Sequence, residues 1–533
     1  MKASTAWRLL IVTVFICQMG WREGAAATHY VVPTNPAAAN PYTNWGTAGT
    51  NIIDVVNAAM TNATTPRVVW VTNGTYALTN QVSITNAITV QGFTNNGAVV
   101  IDGQNNTRCF YLNHTNAILD GFVITRGFTN SGGGVHLSAG TVQNCTIVSN
   151  ESNGSGLYAG GGGVAFYAAN LTNAIIQNCI ISYNRANEGG GIWFHYNLSG
   201  TVRDCQIYNN TATSTAANTG GGGICVGKDG LFQRCTICGN VSANNGGGMG
   251  RWTGGNLEEG CVVVSNSALN NGGGIWLQGS TITNCTVRYN TAKIAGGIAA
   301  SYSTVANCTI EGNTGTNGNA NNCGGGIGVS HGLLINSLIK GNHANYSGGG
   351  VQAYDNATVR NCLIISNTAG NKGGGMVIQV SKNVFVQNCT IASNATTSAS
   401  AGGGLYLENR ANYSNFVNNS IIYYNTTPSG AYSNLYGDNA SGSYSNNCFA
   451  PALSGASINY STNNITVNPQ FVGWTNGNCR LSRNSLCINA GVNRDWMTGA
   501  VDFDGYRRVD KFSGRVDIGC YEYLPSGVIF SVR

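Results

Sequence analysis

One phrase, repeated eleven times between Gly132 and Asn425, constrains this chain more than anything else in it. Its most regular copy reads Gly272-Gly273-Gly274-Ile275-Trp276-Leu277 and then, after a short turn, Thr281-Ile282-Thr283-Asn284-Cys285-Thr286-Val287 with a closing Asn290. Self-similarity at a period of about 20–50 residues marks a chain that stacks like units along one axis. The apolar residue after the glycines stands at Val135, Val164, Ile192, Ile224, Met249, Ile275, Ile298, Ile327, Val351, Met376 and Leu405, at intervals of 23 to 32 residues. In each copy the apolar residues alternate: Ile275 and Leu277 face one way, Trp276 and Gln278 the other. That is the period of a strand.

A second landmark is Cys145, Cys179, Cys205, Cys235, Cys261, Cys285, Cys308, Ser337, Cys362, Cys389 and Ser420, preceded by Asn in eight copies. Five residues later Asn stands in every copy, among them Asn150, Asn184, Asn290 and Asn394. Asparagine tolerates the left-handed conformation of a sharp corner. Stacked at the strand spacing, its amide can also bond the Asn above and below. Glycine serves a third corner, where a Cβ would intrude. Three corners imply three strands per coil. The segment from the closing Asn to the glycines varies in length, which a solenoid permits at one corner.

These phrases resemble the right-handed parallel β-helix family, the fold of pectate lyases and many surface proteins. Gly190-Gly191-Ile192 and Ile147 to Asn150 are also similar to the repeats of chlamydial-type polymorphic outer membrane proteins. The fold implied is all-β: a right-handed parallel β-helix with an N-terminal capping helix and a small C-terminal module. The organisation expected is a signal peptide over 1–27, a cap over 28–66 with a helix at 51–60, irregular first coils over 67–130 and regular coils over 131–425. A last coil and connection follow over 426–470, a module over 471–523 and a tail over 524–533. That module carries Asn468-Pro469-Gln470-Phe471-Val472, Ser485 to Gly491, Asp502-Phe503-Asp504-Gly505 and Val516 to Glu522. In that order they resemble the choice-of-anchor Q module of secreted bacterial β-helix proteins. Leu524 to Arg533 follow without an apolar run, so neither a tethering tail nor a membrane barrel is expected from this stretch.

The N-terminus places Lys2 and Arg8 before an apolar run from Leu9 to Cys17 and then Ala25-Ala26-Ala27, a secretory pattern with a run too short to span a membrane. The expected location is secreted, extracellular or cell-surface. Composition narrows the partners. Net charge is +6, or about +4 without Lys2, Arg8, Arg22 and Glu23, and only 9% of residues are charged. No basic block tracks a phosphate backbone, so nucleic acid is not an expected partner. A monomer is expected.

Eighteen cysteines in a secreted chain suggest disulfides. The nine on one inward ladder, however, would hold their Cβ atoms near the strand spacing, wider than a bridge wants. They read as buried thiols that fill space like small hydrophobes. Cys448, Cys479, Cys487 and Cys520 are the better candidates for bridging. No zinc-type spacing occurs, and Asp502 with Asp504 is only a fragment of a calcium loop that reads better as a turn. No cofactor or metal is expected.

Glycoside hydrolysis needs two carboxylates across one cleft. The few acids of the array do not recur at matching positions on neighbouring coils, adjacent Glu258 and Glu259 apart. The Asp motifs of the polygalacturonase and pectate lyase branches are absent. The outward positions after the glycines are richer, with His136, Tyr167, Trp193, His195, Trp252, Trp276, Gln278, Gln352, Tyr354, Tyr406 and Glu408. In β-helix enzymes that face holds the glycan, and aromatic rings suit sugars by joining apolar area to polar edges. Trp193, His195, Trp276, Tyr167, Trp252 and Tyr354 are the ligand-binding candidates, and no catalytic residue stands out. The expected function is binding or adhesion to extracellular polysaccharide or cell-surface glycan without catalysis. A polysaccharide lyase or glycoside hydrolase on the same face, and a structural surface rod, are the alternatives.

Overall fold

The chain is seen in a computed structural model that describes residues 26–524, apart from 95–96, 155–159, 169–172, 196–197, 217, 228, 252–256, 319–323, 380–382, 399–401, 409–414, 431–432, 439–441 and 451–460. The expected signal segment and Trp252 lie outside the described residues. The rest winds into an all-β parallel solenoid, consistent with a right-handed β-helix, with strands gathered in sheets of 29, 15 and 11 strands. One coil shows the plan. Ile275–Gln278 and Thr281–Thr283 lie in the first sheet, Thr286–Arg288 in the second and Thr291–Ile294 in the third. The first face is thus broken into two segments per coil, separated by the short turn at 279–280. Each segment pairs in parallel with its counterpart one coil on, as Ile275↔Ile298, Thr281↔Thr304, Thr286↔Thr309 and Thr291↔Thr314.

Register holds the inward residues in columns. Val135, Val164, Ile192, Ile224, Met249 and Ile275 succeed one another and are all buried. These columns form one core along the axis. At its N-terminal end sits the helix Ile52–Thr61, capped by the Asn51 side chain accepting from the Ile53 N–H at 2.9 Å. Ile52, Val55, Val56 and Ala59 are buried there, so this helix covers the first strands with its apolar face.

The asparagines build a continuous ladder. Each closing Asn donates from Nδ2 to Oδ1 of the next, from Asn150 to Asn184 (3.0 Å) through Asn290 to Asn313 (2.9 Å) to Asn394 and Asn425 (2.9 Å). The backbone N–H of each donates to that same oxygen, as from Asn290 to Asn313 Oδ1 at 2.9 Å. These side chains are buried. The corner geometry differs from the expectation in one respect. The left-handed residue is not the closing Asn but the one before it: Ser149, Tyr183, Asn209, Ser265, Tyr289, Ser366, Ser393 and Tyr424 have φ of 54–57°. That left-handed step swings the following amide inward onto the ladder. The Asn before each cysteine does adopt the expected conformation, with φ of 49–56° from Asn144 to Asn419. Glycine is required at the third corner. A Cβ on Gly274 would stand 2.8 Å from Gly297 O and 2.9 Å from Asn290 Nδ2.

All nine ladder cysteines are buried and free. They do more than fill space. Cys145, Cys285 and Cys362 donate from Sγ to the carbonyls of Gln143, Thr283 and Arg360 at 3.1, 3.2 and 3.0 Å. Ser337 and Ser420 make the same bond to Ile335 and Asn418 at 2.8 and 3.0 Å. This is why serine can replace cysteine there: the position needs a small donor that closes a left-handed corner.

The chain after Pro469 leaves the solenoid axis and folds back along the outside of the second sheet. Phe471, Cys479, Leu481, Cys487, Ile518, Cys520 and Tyr521 pack there on Leu363, Ile365, Ala392, Ile421 and Cys448. Corner asparagines fasten it: Asn419 donates to Val492 O (2.8 Å) and accepts from Val492 N–H (3.0 Å), while Asn361 donates to Val501 O at 3.1 Å. Inside, fully buried Arg508 faces Glu522 at 3.3 Å. The expectation of bridging among Cys448, Cys479, Cys487 and Cys520 does not hold in this structure, where all four are buried free thiols. Asp502 is buried at a turn, its Oδ1 accepting from the N–H groups of Asp504 (3.0 Å) and Tyr506 (2.8 Å). Asp504 pairs with Arg480.

Candidate functional site

Outward residues of the first sheet fall into rows because the strands are in register. One row runs Tyr111, His136, Ala165, Trp193, Cys225, Gly250, Trp276. Small Ala165 leaves a gap in it, and Tyr167, two residues further along the same coil, fills that gap. The result is a connected set of rings on four successive coils. Tyr111 and His136 lie 5.2 Å apart between ring centroids, and His136 stacks on Tyr167 at 4.2 Å with an 11° interplanar angle. Tyr167 meets Trp193 at 5.7 Å and His195 at 5.2 Å. Such contacts hold aromatic side chains in one arrangement without spending new loop structure.

Arg108 anchors the near end. It donates from Nη1 to Gln81 Oε1 (2.7 Å), from Nη2 to Ser131 O (2.9 Å) and from Nε to Gly132 O (3.1 Å). Burial, then the nearby Arg108 cation, push the His136 imidazole down to about 4 from its usual 6.5. His136 is therefore neutral near pH 7. Its Nδ1 is buried without a hydrogen-bond partner.

Beside the rings, on the neighbouring segment of the same sheet, runs a polar row. Asp120, Gln143, Gln177 and Arg203 are in register. Each bonds to the next: Gln143 Nε2 donates to Asp120 Oδ2 (2.9 Å), Gln177 Nε2 to Gln143 Oε1 (2.8 Å) and Arg203 Nε to Gln177 Oε1 (2.9 Å). All four side chains are half-exposed.

The structure therefore brings Tyr167, Trp193 and His195 together and leaves the other candidates elsewhere. Trp276 lies three register steps beyond Trp193, past Cys225 and Gly250. Tyr354 continues a different row, with Gln278, Ser301 and Ser330. Trp193 is also not the exposed platform the sequence suggests, being 2% exposed. It lies against Gly160, where a Cβ would come within 2.5 Å of the indole. Glu188 is buried beside it, bonded to Trp193 and accepting from Cys225 Sγ at 3.7 Å. Burial raises the Glu188 carboxyl to about 7. Gln352 and Tyr406 are covered in the same way. The half-exposed rings are Tyr111, His136, Tyr167 and His195.

Tyr111, Arg108 and the row of Gln143, Gln177 and Arg203 are absent from the sequence-derived candidates. The glutamines had a visible signal, since a long polar residue recurs two places before the cysteine. Tyr111 and Arg108 sit in the irregular first coils, where no repeat gives the register. Among the described residues no group of three metal-ligating side chains converges.

The chain is a parallel β-solenoid. No protein-family model matches it, and no curated protein does. Among solved structures it is similar to the Dettilon tailspike protein, at 14% identity over 72% of this chain and 70% of that one, with a TM-score of 0.39. It is also similar to pectate lyase Pel9A, at 14% identity over 93% and 96% with a TM-score of 0.25. A third is XylC, solved in complex with xylose, at 9% identity over 94% and 99% with a TM-score of 0.29. At these identities and scores the fold stands on the strand register of this chain itself.

Proposed function

We propose that this protein is a secreted or cell-surface β-helix that binds an extracellular polysaccharide along its first sheet and does not cleave it. One observation carries the reading: half-exposed rings on four successive coils run beside a bonded row of Asp120, Gln143, Gln177 and Arg203. Rings take the apolar faces of sugars, and amides and a guanidinium take their hydroxyls. The similarity of the repeats to polymorphic outer membrane proteins, and of the last segment to a choice-of-anchor Q module, supports the extracellular setting.

Binding without catalysis is favoured by the state of the titratable groups. A general base works best with a pKa near the operating pH. His136 is held at about 4. Glu188, at about 7, is buried beside Trp193, its carboxyl taken up by the Trp193 and Cys225 side chains. The test is incubation with a panel of acidic and neutral polysaccharides, following retention on immobilised glycan together with reducing ends and unsaturated products. Saturable retention without product is the expected result; product formation would overturn the non-catalytic reading.

A further inference from the structure

Away from the first sheet, the C-terminal segment folds against the second sheet. A cleft of about 620 Å³ opens between them, within the roughly 300–1,000 Å³ of small-molecule sites. Its floor is apolar: Leu338 from one coil and Leu363 and Ile365 from the next, with Phe503 from the segment. Its rim is polar, with Ser366 and Ser393 on the solenoid side and Thr475 and Asn476 on the other. Trp474 also lines it, one face stacked on Tyr424 at 4.2 Å and 5°.

The corners explain why the space exists. Ser366 and Ser393 occupy the left-handed position before the ladder Asn, where other coils carry Tyr183, Tyr289 and Tyr424. Small residues in these two coils leave open what a tyrosine ring would fill. The Ser393 hydroxyl is buried with no hydrogen-bond partner, a state that costs about 1–3 kcal/mol unless something satisfies it. Lys340 stands at the edge, exposed, and reaches Glu311 only at 3.9 Å. Its ammonium is free to take a second carboxylate.

We infer that this cleft holds a single pyranose unit bearing a carboxylate, as an end group or branch of a glycan. The indole and the aliphatic floor receive the apolar face of the ring. Ser393, Thr475 and Asn476 receive hydroxyls, and Lys340 receives the acid. An acyl chain would leave those rim groups unused. The site goes beyond the first-sheet reading and does not depend on it.

Isothermal titration of the full chain with glucuronate, galacturonate, glucose and galactose tests this. The expected result is one saturable site per chain that prefers the uronates. Trp474→Ala weakens it at least tenfold, Lys340→Met removes the preference for the acid, and Tyr167→Ala/His195→Ala leaves it unchanged. Asn476→Ala, on an exposed turn, gives a second reading should Trp474→Ala unfold the segment. Any of three results would overturn the site: no saturable heat into the millimolar range, binding indifferent to both Trp474→Ala and Asn476→Ala, or binding lost in the Tyr167/His195 variant.

Discussion

Asn290 donates to Asn313 Oδ1 twice, from its side-chain Nδ2 and from its own backbone N–H, each at 2.9 Å. It also accepts both bonds from Asn266, at 2.9 and 3.0 Å. Its amide reaches Val263 O and Arg288 O at 3.0 Å as well. One buried side chain therefore serves three coils. Asn290→Ala strands the two Asn266 donors, the Asn290 backbone N–H keeping its partner, and is expected to cost about 3 kcal/mol or more. Asn290→Asp keeps the acceptor and loses the donor, so it should be no better. Denaturant midpoints, with hydrogen exchange localising the loss to coils around Asn266 and Asn313, measure both.

The thiol ladder makes an opposite forecast. Because Ser337 and Ser420 already make the cysteine's bond to the carbonyl two residues back, Cys285→Ser should stay within about 1 kcal/mol of the parent. Cys285→Ala leaves Thr283 O without its donor and should cost about 1–2 kcal/mol. Mass spectrometry of unreduced, alkylated protein should find Cys145, Cys285 and Cys362 unlinked.

Acid and alkali should weaken the ring cluster for different reasons. His136 titrates at about 4 in the fold and near 6.5 when unfolded, so its contribution is present above about 6.5 and lost as pH falls toward 4. Glu188 runs the other way. Its carboxyl is raised from 4.5 to about 7, so its contribution is full below 4.5 and lost as pH rises through 7. Melting curves across pH 4–8 should show His136→Asn flattening the acid side and Glu188→Gln the neutral side.

The fold-back segment depends on Arg508, fully buried against Glu522 at 3.3 Å. Burial holds the Glu522 carboxyl up at about 9, so what Arg508→Met removes is chiefly donors, to Asn361 Oδ1 at 3.2 Å and to the Asp517 and Gly519 carbonyls, which costs about 1–3 kcal/mol. Arg508→Met should therefore raise hydrogen exchange across 471–524 and uncover Leu363, Ile365 and Ile421, read as binding of a hydrophobic dye. The Asn ladder of the early coils should keep its protection.

The repeat made most of the fold legible. Alternation around Ile275 sets the strands, and the invariance of Asn150 through Asn425 announces a stacked amide. Two things escaped it. The left-handed residue precedes the closing Asn, as Tyr289 precedes Asn290, because the ladder needs the amide turned inward and the preceding residue pays the torsion. Alternation also tells inward from outward and not what lies over an outward residue; over Trp193 it is Gly160 from the length-variable corner. The covered strip on the second sheet had a trace in the sequence. Its outward positions change from Thr286 and Arg288 to Leu363 and Ile365, where the last segment packs. Of the site, the cluster of Tyr167, Trp193 and His195 was visible, and its partners in the irregular coils were not.

The most direct test is the affinity of the full chain for oligosaccharides of increasing length, drawn from the polysaccharide it retains best. Four coils of rings span about 15 Å at the parallel-strand spacing, so affinity should climb until the chain covers that length and then level off. Tyr167→Ala/His195→Ala should lower the plateau at least tenfold and abolish the climb. An affinity independent of length, or unchanged in that variant, would contradict binding along the first sheet.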